Sequence, residues 1–240
     1  SITFQAQYTS NTTATRDIPP VVDSDTWALW RFDEDSGSTA YDETSASRAA
    51  NLYNGPVWTT GRFGSALSFD GDNDYVRTQN SWGNSAPEEF TIEAWIKLDD
   101  YISSGNPRAI YAMGAGPANL RVNSDEKLYF STYCSSDCGS SSTQHLTGST
   151  ALVPGVWYHV AAVFSESQDS MAIYLNGTLD NNLTLHSSYN LYNHGTYEYI
   201  GYGSWWSSNY FDGLIDEVRV SDTARTSFQL ITNSSVYNWT

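Results

Sequence analysis

From Thr26 onward the chain repeats one pattern, a short run alternating apolar and polar residues, closed by a turn rich in Gly, Asp or Asn. A period of two sends successive side chains to opposite faces of a strand, so each run offers one face to a core and one to solvent. The runs at residues 26–33, 65–70, 75–78, 90–98, 108–113, 127–133, 156–164, 171–175 and 198–202 read this way. In residues 90–98 the spacing turns Phe90, Ile92, Ala94, Ile96 and Leu98 inward. Asn176-Gly177, directly after the apolar run AIYL, is a two-residue hairpin signal. Only residues 223–231 read as a short helix. Many short strands with such turns predict an all-β, two-sheet antiparallel sandwich of the jelly-roll kind.

The first 25 residues differ. Residues 2–8 alternate, with Ile2, Phe4, Ala6 and Tyr8 on one face, and read as an extra strand. Residues 9–25 are polar, with Pro19-Pro20 near their end, and read as an extended linker. The chain thus divides into an arm (1–25) and one domain (26–240). A strand on a tether can add to its own sheet or to the edge of another copy. The first residue is Ser rather than Met, as in a processed or trimmed chain.

The stretch YFDGLIDEVRVS, residues 210–221, combines a turn signal with a strand. Strict alternation groups Leu214, Asp216, Val218 and Val220, which puts Asp216 on the apolar face. A buried carboxylate needs hydrogen bonds or a cation, or its charge is lost to a pKa shift.

Composition narrows the partners. With 27 acidic against 11 basic residues the formal charge is −16, which argues against nucleic acid and anionic membrane. No apolar run approaches the ~18 residues of a membrane span, so direct membrane insertion is not expected. A surface built from Ser, Thr, Asn, Gly and Tyr suits an extracellular or cell-surface protein. Cys134 and Cys138 lie in a loop and would close a small disulfide ring in an oxidising compartment; the alternative is two free thiols. N-glycosylation sequons stand at Asn11, Asn176, Asn182, Asn233 and Asn238, although about four arise by chance at this Asn, Ser and Thr content.

A set of motifs in fixed order resembles the laminin-G-like jellyroll family of the concanavalin A-like lectin/glucanase superfamily. These are WALWRFDEDSGSTAYDET, GRFGSALSFDGDNDYV, FTIEAWIKL, GVWYHVAAVF, MAIYLNG, and YIGYG followed by FDGLIDEVRVSDTAR. The resemblance implies a non-enzymatic module used in adhesion, glycan recognition or assembly, often with a calcium ion. The positions it marks as calcium ligands are Asp33, Asp42 and Asp216. Calcium wants six to eight oxygens, and the reading without metal makes Asp216 an acceptor of backbone hydrogen bonds and Asp42 a turn residue. The acidic run at residues 70–74 reads as a solvated hairpin turn.

Catalysis lacks its residues. Sandwich glucanases carry Glu-x-Asp-x-x-Glu on one strand, and DGLIDEV does not have that spacing. His145, His159, His186 and His194 show no metalloprotease spacing, and His159 reads as a packed, hydrogen-bonded residue. Aromatic content is the better lead. Nine Trp and 17 Tyr exceed the needs of one core, and Trp205, Trp206 and Tyr210 fall in a loop where rings can stack on sugars or anchor a protein, with Tyr189, Tyr192 and Tyr197 as extensions. Two expectations result. One is a non-catalytic surface assembly or filament subunit, joined to other copies of itself by strand exchange through Ile2, Phe4, Ala6 and Tyr8 and stabilised by calcium. The other is a calcium-assisted carbohydrate-binding module whose partners are surface glycans.

Overall fold

The structure is a computed structural model. It describes residues 11–79, 87–102, 105–114, 118–134, 143–187, 189, 191, 197–203, 209–228 and 230–237; of residues 11–17 and 231–237 it describes the backbone. Among the described residues the elements are strands, without a helix. They run β1 (Asn11–Asp17), β2 (Thr26–Trp30), β3 (Thr39–Ala40), β4 (Ala50–Tyr53), β5 (Val57–Thr60) and β6 (Ser65–Asp70). Next come β7 (Tyr75–Thr78), β8 (Glu89–Leu98), β9 (Arg108–Met113), β10 (Ala118–Val122), β11 (Lys127–Tyr133) and β12 (Thr143–Ala151). Last are β13 (Tyr158–Ser165), β14 (Ser170–Leu175), β15 (Thr178–Thr184), β16 (Glu198–Ile200), β17 (Asp212–Ser221) and β18 (Ile231–Tyr237).

Two antiparallel sheets form the sandwich. The front sheet runs β12-β11-β10-β9-β16-β7-β4-β3, and the back sheet runs β15-β14-β13-β8-β17-β6-β5 with β2 paired to β17. All five expected inward residues of β8 lie in the core between them. Phe90 marks the seam, stacking on Phe164 of its own sheet at 5.3 Å and meeting Phe130 of the front sheet edge-on at 6.1 Å. Asn176 and Gly177, both at positive φ, form the two-residue loop between β14 and β15, as their sequence requires.

Three expectations are corrected. First, Asp216 does not face the core. Glu217 adopts φ 50°, and the register of β17 against β8 shifts between Asp216 and Arg219. That bulge adds one residue and reverses the alternation, so Ile215 enters the core before it and Val218 and Val220 after it. Asp216 therefore points to the outer face of the back sheet, opposite Trp95. Second, the described residues within 223–231 are not helical. The Thr91 hydroxyl donates to the carbonyl of Thr223 at 2.7 Å and accepts from the Arg225 N–H at 2.9 Å, so the sheet takes groups that a helix would pair internally. Third, residues 11–25, the described part of the expected linker at 9–25, are not free. Asn11–Asp17, whose three threonines favour extended backbone, is β1 and pairs antiparallel with β18.

Residues 18–25 then lie along the outer face of the back sheet of their own chain. Arg31 donates to the Pro20 carbonyl at 3.1 Å, Arg219 to the Val21 carbonyl at 2.8 Å, and Arg225 pairs with Asp23 at 2.6 Å. From the other side Phe228 packs on His159 and Tyr174. The back sheet is thus covered by both ends of the chain. Its covered face holds a buried polar group in which Glu93 bonds His159 Nε2 at 2.9 Å and pairs with Arg219. The expectation of a packed, bonded His159 holds.

Candidate functional site

The three carboxylates marked as calcium ligands serve two separate turns. Asp42 Oδ1 accepts from the N–H groups of Leu29 and Thr44, and its Oδ2 accepts from the Thr44 hydroxyl and the Arg48 N–H. Its oxygens are committed to its own loop. Asp33 accepts from the Ser65 N–H at 2.8 Å. Asp216 Oδ2 accepts from the N–H groups of Arg62 and Phe63 at 2.7 and 3.0 Å, while its buried Oδ1 has no partner. Asp33 and Asp216 thus hold the two sides of the β5–β6 hairpin. Asp42 does not join them, so the set of three does not fit one calcium ion, and among the described residues no group of three or more His, Cys, Asp or Glu is arranged for a metal.

The hairpin turn is tight around Asp216. A Cβ at Gly61 would come 2.4 Å from the Ser65 carbonyl oxygen and 2.6 Å from Asp216 Oδ2. Gly61→Ala is therefore expected to lower stability by about 2 kcal/mol, measured by urea unfolding, because backbone atoms would have to move. An unchanged midpoint would show that the turn has slack.

Backbone amides are the partners of Asp216, as the reading without metal expected. Burial pushes the Asp216 carboxyl up to about 7, against the pull of the Phe63 and Arg62 amides. Burial likewise pushes Glu217 up to about 8, against Arg31, whose Nη1 lies 2.8 and 3.2 Å from its two oxygens. The acidic run at residues 70–74 is a turn, in which Asp70 Oδ1 accepts from the N–H groups of Asp72 and Asn73.

The outer face of the front sheet is the opposite case. One register row crosses it as Thr39, Asn51, Arg77, Tyr199, Ala112, Asn119, Ser131 and His145. A second row adds Tyr53 opposite Tyr75, and Arg121 opposite Tyr129 and then Thr147. None of these outward positions is Asp or Glu.

Half-buried tyrosines pave one half of this face. Tyr53 and Tyr75 stack at 4.8 Å with planes 8° apart, Tyr75 meets Tyr202 at 5.6 Å, and Tyr202 stacks on Tyr210 at 4.8 Å. Tyr199 fills the angle between Tyr75 and Tyr202 at 6.0 and 5.5 Å. Arg77 lies in their midst, its guanidinium 4.7 Å from the centre of Tyr53 and 4.6 Å from that of Tyr197, with Nη2 donating to the Tyr53 hydroxyl at 2.6 Å. Burial raises the phenols of Tyr75, Tyr199, Tyr202 and Tyr210, so all four remain neutral hydrogen-bonding groups at physiological pH. On the far half, Arg121 covers the ring of Tyr129 at 4.2 Å and His145 stacks on that ring at 5.6 Å.

Of the expected aromatics, Tyr210 and Tyr197 join this platform, whereas Tyr189 is a core residue bonded to the Thr132 hydroxyl. Trp205, Trp206 and Tyr192 lie outside the described residues, as do Ile2, Phe4, Ala6 and Tyr8. Cys134 is disulfide-bonded, and its expected partner Cys138 lies outside the described residues. Asn176 and Asn182 are exposed. The side chains of Asn11 and Asn233, and all of Asn238, lie outside the described residues. The platform escaped sequence reading because its rings come from four separate segments. The available signal was the two-residue spacing of Tyr75 with Arg77 and of Tyr197 with Tyr199, which puts large amphipathic side chains on the solvent face of a strand.

Fold and face together define a jelly-roll protein of the lectin/glucanase type. The family model described as the concanavalin A-like lectin/glucanases superfamily matches residues 70–230, more than half of the chain, and the chain belongs to this family. No curated protein matches the sequence. Among solved structures, the binding domain of Paraclostridial Mosquitocidal Protein 1 superposes with a TM-score of 0.67 at 13% identity, over 84% of this chain and 49% of that one. A botulinum neurotoxin type C structure, described as dependent for cell entry on two ganglioside molecules, gives 0.61 at 13%, over 84% and 48%. The botulinum neurotoxin DC binding domain in complex with SialylT gives 0.63 at 13%, over 85% and 49%. The chain spans about half the length of these domains, and at such identities the likeness is one of fold.

Proposed function

We propose that this chain is a non-catalytic, extracellular carbohydrate-binding module whose contact surface is the tyrosine face of the front sheet. The observation that carries this reading is the continuous platform of Tyr53, Tyr75, Tyr199, Tyr202 and Tyr210 around Arg77. Flat rings offer the C–H faces of sugars a stacking surface, and their hydroxyls meet sugar hydroxyls at the rim. Segments near both ends of the chain cover the centre of the opposite sheet, which favours the front face for a ligand. Hydrolysis of a glycosidic bond would need two facing carboxyl groups, and the outward positions of the paired rows supply none. The interaction with gangliosides and the complex with SialylT named for two neighbours agree with a glycan ligand.

A glycan array followed by titration calorimetry tests the reading. Tyr75→Ala and Tyr202→Ala should each weaken the best ligand about tenfold while the unfolding midpoint moves little, because neither ring belongs to the sandwich core. Binding that survives both changes would remove the platform from the account. The reading does not require calcium, so affinity should be the same with calcium and with EDTA.

Assembly by strand exchange is the weaker reading. The neighbouring part of the arm docks in cis, through β1 on β18 and through residues 18–25 on the back sheet. That leaves only residues 2–8 for another copy.

A further inference from the structure

We infer that the front face selects glycans carrying a carboxylate, with Arg77 and Arg121 as the two recognition cations. This deepens the carbohydrate-binding reading and rests on it. The chain is strongly acidic, yet its outward rows across the front sheet hold Arg77, Arg121 and His145 and no Asp or Glu.

The two arginines also differ from most others in how they are held. Arg31, Arg108, Arg219 and Arg225 are each in an ion pair with a carboxylate. Arg77 and Arg121 have no carboxylate partner among the described residues. Their guanidinium carbons lie over tyrosine rings, and they donate to the neutral Tyr53 hydroxyl and Asn123 Oδ1. A guanidinium so held has further N–H groups, in the fork geometry that meets a carboxylate with two parallel hydrogen bonds. Burial also lowers the pKa of Arg121, with Tyr129 acting the other way, which marks a partly desolvated cation with no anion beside it. An anionic ligand would supply what both sites lack.

Spacing makes the ligand an oligosaccharide. Arg77 on β7 and Arg121 on β10 are separated by three strand intervals, about 14 Å across the sheet. Ala112 and Ala109 of β9 lie between them and keep the floor low. The tyrosine platform beside Arg77 would hold the neighbouring sugar rings.

The test compares matched ligands on the full chain by titration calorimetry: trigalacturonate against its carboxyl-reduced counterpart galactotriose, and sialyllactose against lactose. At least one acidic member should bind about tenfold or more tightly than its neutral partner, and the advantage should shrink as salt rises. Arg77→Gln and Arg121→Gln should each remove most of that preference while leaving residual binding equal to that of the neutral ligand. Arg77→Lys, which keeps the charge and loses the fork, should fall between, and a thermal melt of each variant confirms its fold. The uronate and sialic pairs distinguish the two sources of carboxylate. Equal binding of acidic and neutral ligands, or a preference that survives both glutamine variants, would overturn the inference and leave the carbohydrate reading intact. A preference for sulfated over carboxylated sugars would overturn the assignment of the carboxylate. Absence of binding of any glycan, acidic or neutral, to the parent chain would instead strike the reading beneath it.

Discussion

Replacing Glu93 by Ala should cost about 3–5 kcal/mol of folding free energy, the largest loss expected from any single side chain on the covered face. Glu93 is 1% exposed, bonds His159 Nε2 at 2.9 Å through one oxygen and pairs with Arg219 through the other. Burial pushes its carboxyl up, but the bond to His159 and the pairing with Arg219 outweigh that, and its pKa lies below the ordinary carboxylate value. Truncation would leave the Arg219 side chain, 8% exposed, as an uncompensated cation, and His159 with both ring nitrogens unpartnered, since Nδ1 already has none. The cost would come from those orphaned groups more than from the lost pair. Accordingly, Glu93→Leu combined with Arg219→Met should recover much of the loss, as removing both charges together leaves no unpaired ion. Urea denaturation of the single and double variants decides the matter. A single-variant loss below about 1 kcal/mol would mean that water reaches the group and that the arm does not seal this face.

Stability should also fall by several kcal/mol between pH 5 and pH 8. Asp216 and Glu217 are raised from ordinary values of 3.8 and 4.5 to about 7 and about 8, chiefly by burial. A raised carboxyl binds its proton more tightly in the folded chain than in the unfolded one. Its stabilising contribution is complete below the unfolded pKa and is lost as pH climbs through the folded pKa. At about 1.4 kcal/mol per pKa unit, each group loses on the order of 3 kcal/mol across that window, an upper value because a structure can admit water to relieve the charge. On the acid side the sign reverses. Arg225 holds Asp23 at about 2, so the contribution of Asp23 is present above 3.8 and is lost as pH falls toward 2. A maximum near pH 4 results. Asp216→Asn keeps an acceptor for the Arg62 and Phe63 amides and cannot ionise, so it should remove about half of the decline above pH 5. A profile that stays level from pH 5 to pH 8 in the parent chain would show that these carboxyls are better solvated than their packing implies.

Both predictions concern features that the sequence stated only in part. The period of two was enough to recover the sandwich, the inward set of β8 and the Asn176-Gly177 hairpin, because each depends on residues adjacent in the chain. Asp216 was singled out correctly as a buried carboxylate but assigned to the wrong side. The cause is one residue, since Glu217 at positive φ shifts the phase of β17, and nothing in the side chain of a glutamate announces a bulge. Polarity likewise hid β1, because Thr-rich backbone pairs as a strand without an apolar face. The tyrosine face was the hardest to see. Tyr53 and Tyr75 become neighbours only through the pairing of β4 with β7, and Tyr199 joins them only through β16, which returns to β7 after more than a hundred intervening residues. Sequence reading instead followed the densest local aromatic signal, Trp205 and Trp206.

The central claim is that the front face, rather than the carboxylate hairpin of the back sheet, is where this protein meets its ligand. Amide chemical-shift mapping by nuclear magnetic resonance, with the tightest ligand from the glycan array, tests it most directly. Perturbations should concentrate at Tyr53, Tyr75, Arg77, Tyr199 and Tyr202 and spare residues 61–65 of the hairpin held by Asp33 and Asp216. Shifts centred on that hairpin, or a spectrum unmoved by any glycan, would contradict the account.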